Sequence, residues 1–91
     1  MHAALVHLRI DPAQAPAAAA AFTKDILPKV KGAAGLVAGY WVDPADGRGF
    51  GFLVFENEEQ AARATPPATM WSAPGVTIER VDVRRVAVAI P

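Results

Sequence analysis

The sequence contains no cysteine. That absence excludes disulfide staples, thiolate-held metals and thiol catalysis together. Histidine is scarce, with His2 and His7 alone, and neither is spaced from Asp or Glu in a metal-ligand pattern. There is no surplus of positive charge, because nine Lys and Arg face nine Asp and Glu. Nucleic-acid binders carry a basic excess or stripe, so that class is set aside. The cluster Arg80, Arg84 and Arg85 is interrupted by Asp82 and preceded by Glu79, which reads as a mixed strand surface. No apolar run approaches the ~20 residues that span a membrane. The opening MHAALVHLRI lacks the basic n-region and long apolar h-region of a secretory signal. The expectations are no membrane, no nucleic acid, no metal, no cofactor and a cytoplasmic location.

What is present is apolar bulk. Ninety-one residues suit a single domain over 1–91, and a chain this short has a narrow stability margin. Hydrophobic residues make up 53%, much of it alanine, which buries little area. Four Phe, two Trp and many Val and Leu compete for the interior. A domain with more apolar surface than its core can hide finds a partner surface, so a homodimer is expected.

Hydropathy along the chain alternates between two periods. In residues 2–10, Ala4, Val6, Leu8 and Ile10 share one side while Ala3, Leu5, His7 and Arg9 share the other, as in a strand. Asp11-Pro12-Ala13-Gln14 is a helix start, with Pro16 a second place for the regular helix to begin. Ala17–Ala21 favours helix, and Phe22, Ile26 and Val30 recur every four residues. Pro28 interrupts that stripe, which predicts a kink near Lys24–Pro28 or an early end. Leu36–Val42 and Arg48–Phe55 read as strands joined by Asp43-Pro44-Ala45-Asp46-Gly47. Gly39, Gly49 and Gly51 inside them mark a bulge, or a place where another group approaches the backbone closely. Asn57-Glu58-Glu59-Gln60 opens a second helix that runs to about Thr65, where Pro66-Pro67 stops it. A last strand begins near Val76. Its parity changes at Arg84-Arg85, which predicts a bulge there or a strand that continues into another environment.

The order is β-α-β-β-α-β, a ferredoxin-like α+β fold with an antiparallel sheet. Two helices cover one sheet face. Phe50, Phe52 and Val54, opposite in parity to Leu53 and Phe55, make the other face apolar and in need of cover. Sheet-on-sheet pairing with a second copy supplies it, and the tail Val86–Ile90 fits the same partner.

Gly35-Leu36-Val37-Ala38-Gly39-Tyr40-Trp41, with Phe50–Phe55 running into Glu56-Asn57-Glu58-Glu59-Gln60-Ala61-Ala62, resembles the dimeric α+β barrel superfamily, in its antibiotic-biosynthesis-monooxygenase-like group. The resemblance spans nearly the whole chain in order and spacing. It implies two sheets facing each other as a barrel, with a ligand cavity between each sheet and its helices. Some such proteins oxidise aromatic polyketides with dioxygen and neither metal nor flavin; others degrade haem or transform other small molecules, and many have no known activity. The implied function is a cofactor-free monooxygenase-like protein acting on a small aromatic or quinone-type molecule. The alternative is a non-catalytic dimer of the same fold that binds a small apolar metabolite or scaffolds a partner. The resemblance also implies an Asn, a Trp and an Arg or His around the ligand, and this chain departs from that set. Its only Asn, Asn57, reads as a helix cap, and no His follows His7, so a haem-ligating His later in the chain is missing.

Three residues are the site candidates: His7, Tyr40 and Trp71. Trp71 is the nearest match to the implied Trp and offers an N–H beside a flat apolar wall; closing one end of the core is its alternative role. His7 can act as a general base near neutral pH, or serve as a satisfied strand residue. Tyr40 and Trp41 have opposite parity, so one of them lines a given cavity; Tyr40 can donate from a wall or reach solvent. Arg80 and Arg85 are candidate anion stabilisers, with pairing to Glu79 or Asp82 as the competing role. Gly49-x-Gly51 lies inside a strand and is not a phosphate loop.

Overall fold

The computed structural model describes residues 1–64 and 73–90. Four strands, β1 (His2–Ile10), β2 (Leu36–Ala45), β3 (Arg48–Phe55) and β4 (Val76–Arg85), form one sheet. Its order is β2-β3-β1-β4, with every neighbouring pair antiparallel. A helical stretch over 12–31 follows β1, and a short helix lies between β3 and β4. The architecture is α+β and compatible with the ferredoxin-like arrangement. No helix among the described residues is long and apolar enough to cross a membrane.

The first helical stretch is built in pieces. Asp11 Oδ1 accepts the Ala13 N–H at 3.0 Å, opening a 3₁₀ turn at Pro12–Gln14. Helix α1 (Ala15–Ala21) follows, then a π turn at Phe22–Ile26, then α2 (Leu27–Lys31). The early end expected around Pro28 does not occur, since the helix continues to Lys31; a π turn stands just before the proline, with the Leu27 N–H donating to the Phe22 carbonyl five residues back. Pro28 lacks an N–H, and its ring crowds the carbonyl four residues before it. A widened turn just ahead of it accommodates both demands and lets the helix continue. The Phe22-Ile26-Val30 stripe survives, with Ile26 and Val30 buried and Phe22 half-buried.

The helical layer packs on one sheet face. Ala4 and Val6 from β1, and Leu53 and Phe55 from β3, bury there against Ile26, Val30 and Ala61. Ala61 belongs to α3 (Glu58–Ala64), whose start is capped by Asn57 Oδ1 accepting the Gln60 N–H at 2.9 Å. That matches the capping role expected of Asn57.

Three irregularities set which residue faces which way. β3 spans Arg48–Phe55 as expected, whereas β2 runs past the expected Val42 to Ala45, leaving a two-residue turn. Asp46 (φ 53°) and Gly47 (φ 74°) both adopt positive φ, as a type I′ hairpin requires. The register then shifts between Val42 and Ala45, and again between Leu36 and Ala38. The second shift turns Leu36 onto the core, although its sequence parity matches Tyr40. In β4 the register shift lies at Glu79, between the His7–Arg80 and Leu8–Ile78 pairs, instead of at Arg84-Arg85. It brings Ile78 onto the core together with Val81 and Val83. The strand ends at Arg85, where the parity change had suggested a bend.

Candidate functional site

The face away from the helices is divided in two. Val42, Phe50, Tyr40 and Phe52 from β2 and β3 form an exposed apolar half. The β1 and β4 half is polar. There Arg80 Nε forms an ion pair with Asp82 Oδ2 at 2.9 Å, and His7 Nε2 lies 3.5 Å from the same oxygen and 3.4 Å from an Arg80 terminal nitrogen. The His7 ring also meets Phe50 edge-on at 5.1 Å. Arg80 therefore spends its charge on Asp82, the competing role weighed for it.

Between the sheet and the first helical stretch lies a cavity of about 420 Å³. Its emptiness follows from residue size. The roof over it is alanine (Ala15, Ala18 and Ala19), and Gly49 lies in the floor beside Leu8 and Ile10. Helix propensity makes the Ala run a helix, and one-carbon side chains leave it unable to fill the gap to the sheet. Phe22, Thr23 and Ile26, the residues of the π turn, form one wall.

Trp41 forms another wall, lying against β3 and β2. A Cβ added at Gly51 would sit 2.8 Å from Trp41 Nε1, and one at Gly39 would sit 3.2 Å from the indole's six-membered ring. Both glycines therefore mark a close approach: the indole at Gly51, and at Gly39 the Leu53 side chain (2.9 Å) together with the indole. Phe22 meets that indole edge-on at 4.9 Å, an arrangement that contributes about 0.5–1.5 kcal/mol beyond burial. The Trp41 Nε1–H is buried with no hydrogen-bond partner among the described residues. A buried N–H left without an acceptor costs about 1–3 kcal/mol. Among the described residues, the cavity's polar side chains are this indole, Thr23 and Asp43, and the Thr23 hydroxyl already donates to the Ala19 carbonyl at 3.2 Å.

The three candidates from the sequence are not brought together at this cavity. His7 and Tyr40 both stand on the opposite face, on β1 and β2, with β3 between them. Tyr40 is 66% exposed. Trp71 lies outside the described residues. Of the Tyr40/Trp41 pair, Trp41 is the one that lines the space under the helices. His2 Nε2 lies 3.7 Å from Glu58 Oε2, far from His7 along β1. Among the described residues, no three His, Asp or Glu side chains converge as metal ligands would.

No family model, curated protein or solved structure matches the chain.

The sequence had offered Trp41 only as the alternative to Tyr40, and Phe22 and the alanine run only as features of a helix. The signal available was the glycine pattern around Trp41, which identified a close approach without naming what approached.

Proposed function

We propose that this chain binds a small, mostly apolar molecule with one hydrogen-bond acceptor, of aromatic or quinone type, between its sheet and its first helical stretch. The observation that carries this reading is an apolar cavity of about 420 Å³ with the Trp41 indole in its wall, an indole whose own N–H is packed over Gly51 without an acceptor among the described residues. Ligand sites have this make-up: roughly 300–1,000 Å³, apolar walls and a few placed polar groups. A carbonyl or phenolate oxygen reaching the indole would remove the cost of the orphaned N–H.

The same features support cofactor-free oxygenation as the chemistry such a site would host. In a dry site, a fixed donor stabilises a phenolate that can itself deliver an electron to dioxygen. For an anthrone-type substrate the methylene becomes a carbonyl, and the second oxygen atom of dioxygen leaves as water. Asp43 is the ionisable side chain among the described lining residues, and it is the one to receive the substrate's proton. His7, on the far face, is not positioned for that task. Binding is thus better supported than turnover, and binding without turnover is the second reading.

The reading includes a second copy. The apolar half of the open face provides an area that a twin chain would cover.

Titration with 1,4-naphthoquinone and anthrone, followed by thermal denaturation and by oxygen uptake, tests both parts. A ligand-dependent rise in melting temperature supports binding, and oxygen consumption above buffer supports catalysis. No thermal response to either compound would remove the binding reading for this ligand class.

A further inference from the structure

We propose that the open face of the sheet binds a single strand of nucleic acid, with the Phe50 and Phe52 rings stacking on two bases and Arg48 holding a phosphate. This goes beyond the ligand reading above and does not rest on it, because the cavity lies on the other side of the sheet.

The rings come from one strand. β3 reads Arg48-Gly49-Phe50-Gly51-Phe52-Leu53-Val54-Phe55. Sheets that bind RNA by stacking its bases use an octapeptide of a basic residue, Gly, an aromatic, Gly or Ala, Phe, Val, any residue and an aromatic. Leu53 in place of the valine is the one departure. Strand alternation gives that pattern its physical sense. Leu53 and Phe55 face the helices and are buried, while Phe50 and Phe52 face outward, 48% and 39% exposed. β3 is an inner strand of the sheet, so the two rings stand in the middle of the face. Tyr40 pairs with Phe52 from β2, and His7 pairs with Phe50 from β1, its ring edge-on at 5.1 Å. Exposed rings in such a group form a platform for bases.

Spacing selects an unpaired strand. Phe50 and Phe52 are two residues apart along β3, or about 6.8 Å. That is twice the ~3.4 Å step of one strand in a duplex. Bases that reach both rings must be splayed apart.

Charge points the same way once it is placed on the fold. The balance of nine basic against nine acidic residues, which set nucleic acid aside, is a sum over the whole chain. Acids gather at the helix starts, as Asp11, Glu58 and Glu59, and at the hairpin tip, as Asp46. The open face carries Arg9, Arg48, Arg80 and Arg84 against Glu79 and Asp82. Glu79 pairs with Arg9 at 3.5 Å, and Asp82 with Arg80 at 2.9 Å. Arg48 has no acid partner among the described residues. It stands directly opposite Arg9 in the strand register, a like-charge pair that destabilises the sheet. It also borders a groove of about 310 Å³ shared with His7, Phe50 and Arg80. A phosphate in that groove relieves the repulsion, next to the ring that takes a base. A second copy would cover the same face, so strand and twin compete for it.

Fluorescence anisotropy with labelled octamers tests this: uridine RNA, thymidine DNA, and a self-complementary RNA duplex. The full chain should bind the uridine octamer saturably and the duplex far more weakly. Affinity should fall as salt rises, and Arg48→Gln should reduce the log–log slope by about 0.7, the share of one phosphate contact on a single strand. Phe50→Ala and Phe52→Ala should each weaken binding about tenfold or more, with circular dichroism unchanged. Phe50→Tyr keeps a stacking ring and should bind like the parent. Binding of the DNA octamer equal to that of RNA supports recognition through base and phosphate, and a preference for RNA supports an added contact to the ribose hydroxyl. No saturable response up to about 100 μM protein, the weak end of ordinary non-specific binding, would overturn the proposal. So would equal binding of the duplex, or alanine variants that bind like the parent. A chain that runs at twice the monomer mass and takes up no octamer would assign the face to a second copy and overturn it as well.

Discussion

At the scale of single residues, the site depends on Trp41 having nothing but glycine beneath it. Gly51→Ala places a methyl 2.8 Å from the indole nitrogen, a contact that real Cβ atoms do not make. The indole must move, and overpacking of this kind costs about 1–3 kcal/mol. Urea denaturation should show that loss together with an altered tryptophan emission. Unchanged stability would mean that Trp41 does not lie on Gly51. Trp41→Phe is the complementary change: it keeps an apolar ring and deletes the donor. Affinity for a quinone or phenolate should fall about tenfold, the effect of one hydrogen bond, while affinity for a plain aromatic hydrocarbon should hold. Calorimetry on the two ligand types separates these outcomes, and an equal fall for both would assign Trp41 a packing role only.

At the scale of elements, the alanine helix defines the cavity. Ala15→Leu with Ala19→Leu adds bulk to its roof. Filling a natural void of this kind commonly stabilises by about 0.5–2 kcal/mol. The doubly substituted protein should melt at the same temperature or higher and lose the thermal response to naphthoquinone. A variant that still responds would place the ligand elsewhere. How far this was legible differs by element. The helices and strands announced themselves through period, capping residues and turn chemistry, as with Asp11, Asn57 and Asp46-Gly47. The register did not. A two-residue loop at Asp46-Gly47, with no bulge, pairs Trp41 with Phe52; the shift between Val42 and Ala45 moves the partner to Gly51. One residue of slip decides whether the indole meets a benzyl group or bare backbone. Nothing local in Val42-Asp43-Pro44-Ala45 specifies that shift, because it depends on how β3 sits between its two neighbours. The shift at Glu79 in β4 is of the same kind. Pro28 was legible as a disturbance, but its resolution as a π turn depends on the sheet holding Phe22 and Ile26 in place.

At the scale of the whole molecule, one sheet serves two surfaces. The helix side carries the core and the cavity. The open side is apolar on β2 and β3 and charged on β1 and β4, where Asp82 is flanked by Arg80 and His7. Phe52→Lys sets a charge in the middle of the apolar half. It should shift the chain toward monomer in light scattering with little loss of fold stability, because Phe52 lies outside the buried core. A full dimer in that variant would exclude the apolar half as the interface. The open face was legible in the sequence as strand parity. The cavity was not, since it arises from what alanine and glycine fail to fill.

The binding account is tested most directly by following the Trp41 indole N–H resonance in a ¹H–¹⁵N spectrum, assigned by its loss in Trp41→Phe, during titration with 1,4-naphthoquinone. The account predicts a saturable downfield movement of that resonance as a carbonyl oxygen accepts the unpaired N–H. A resonance that stays in place while signals elsewhere in the protein report saturation would contradict it.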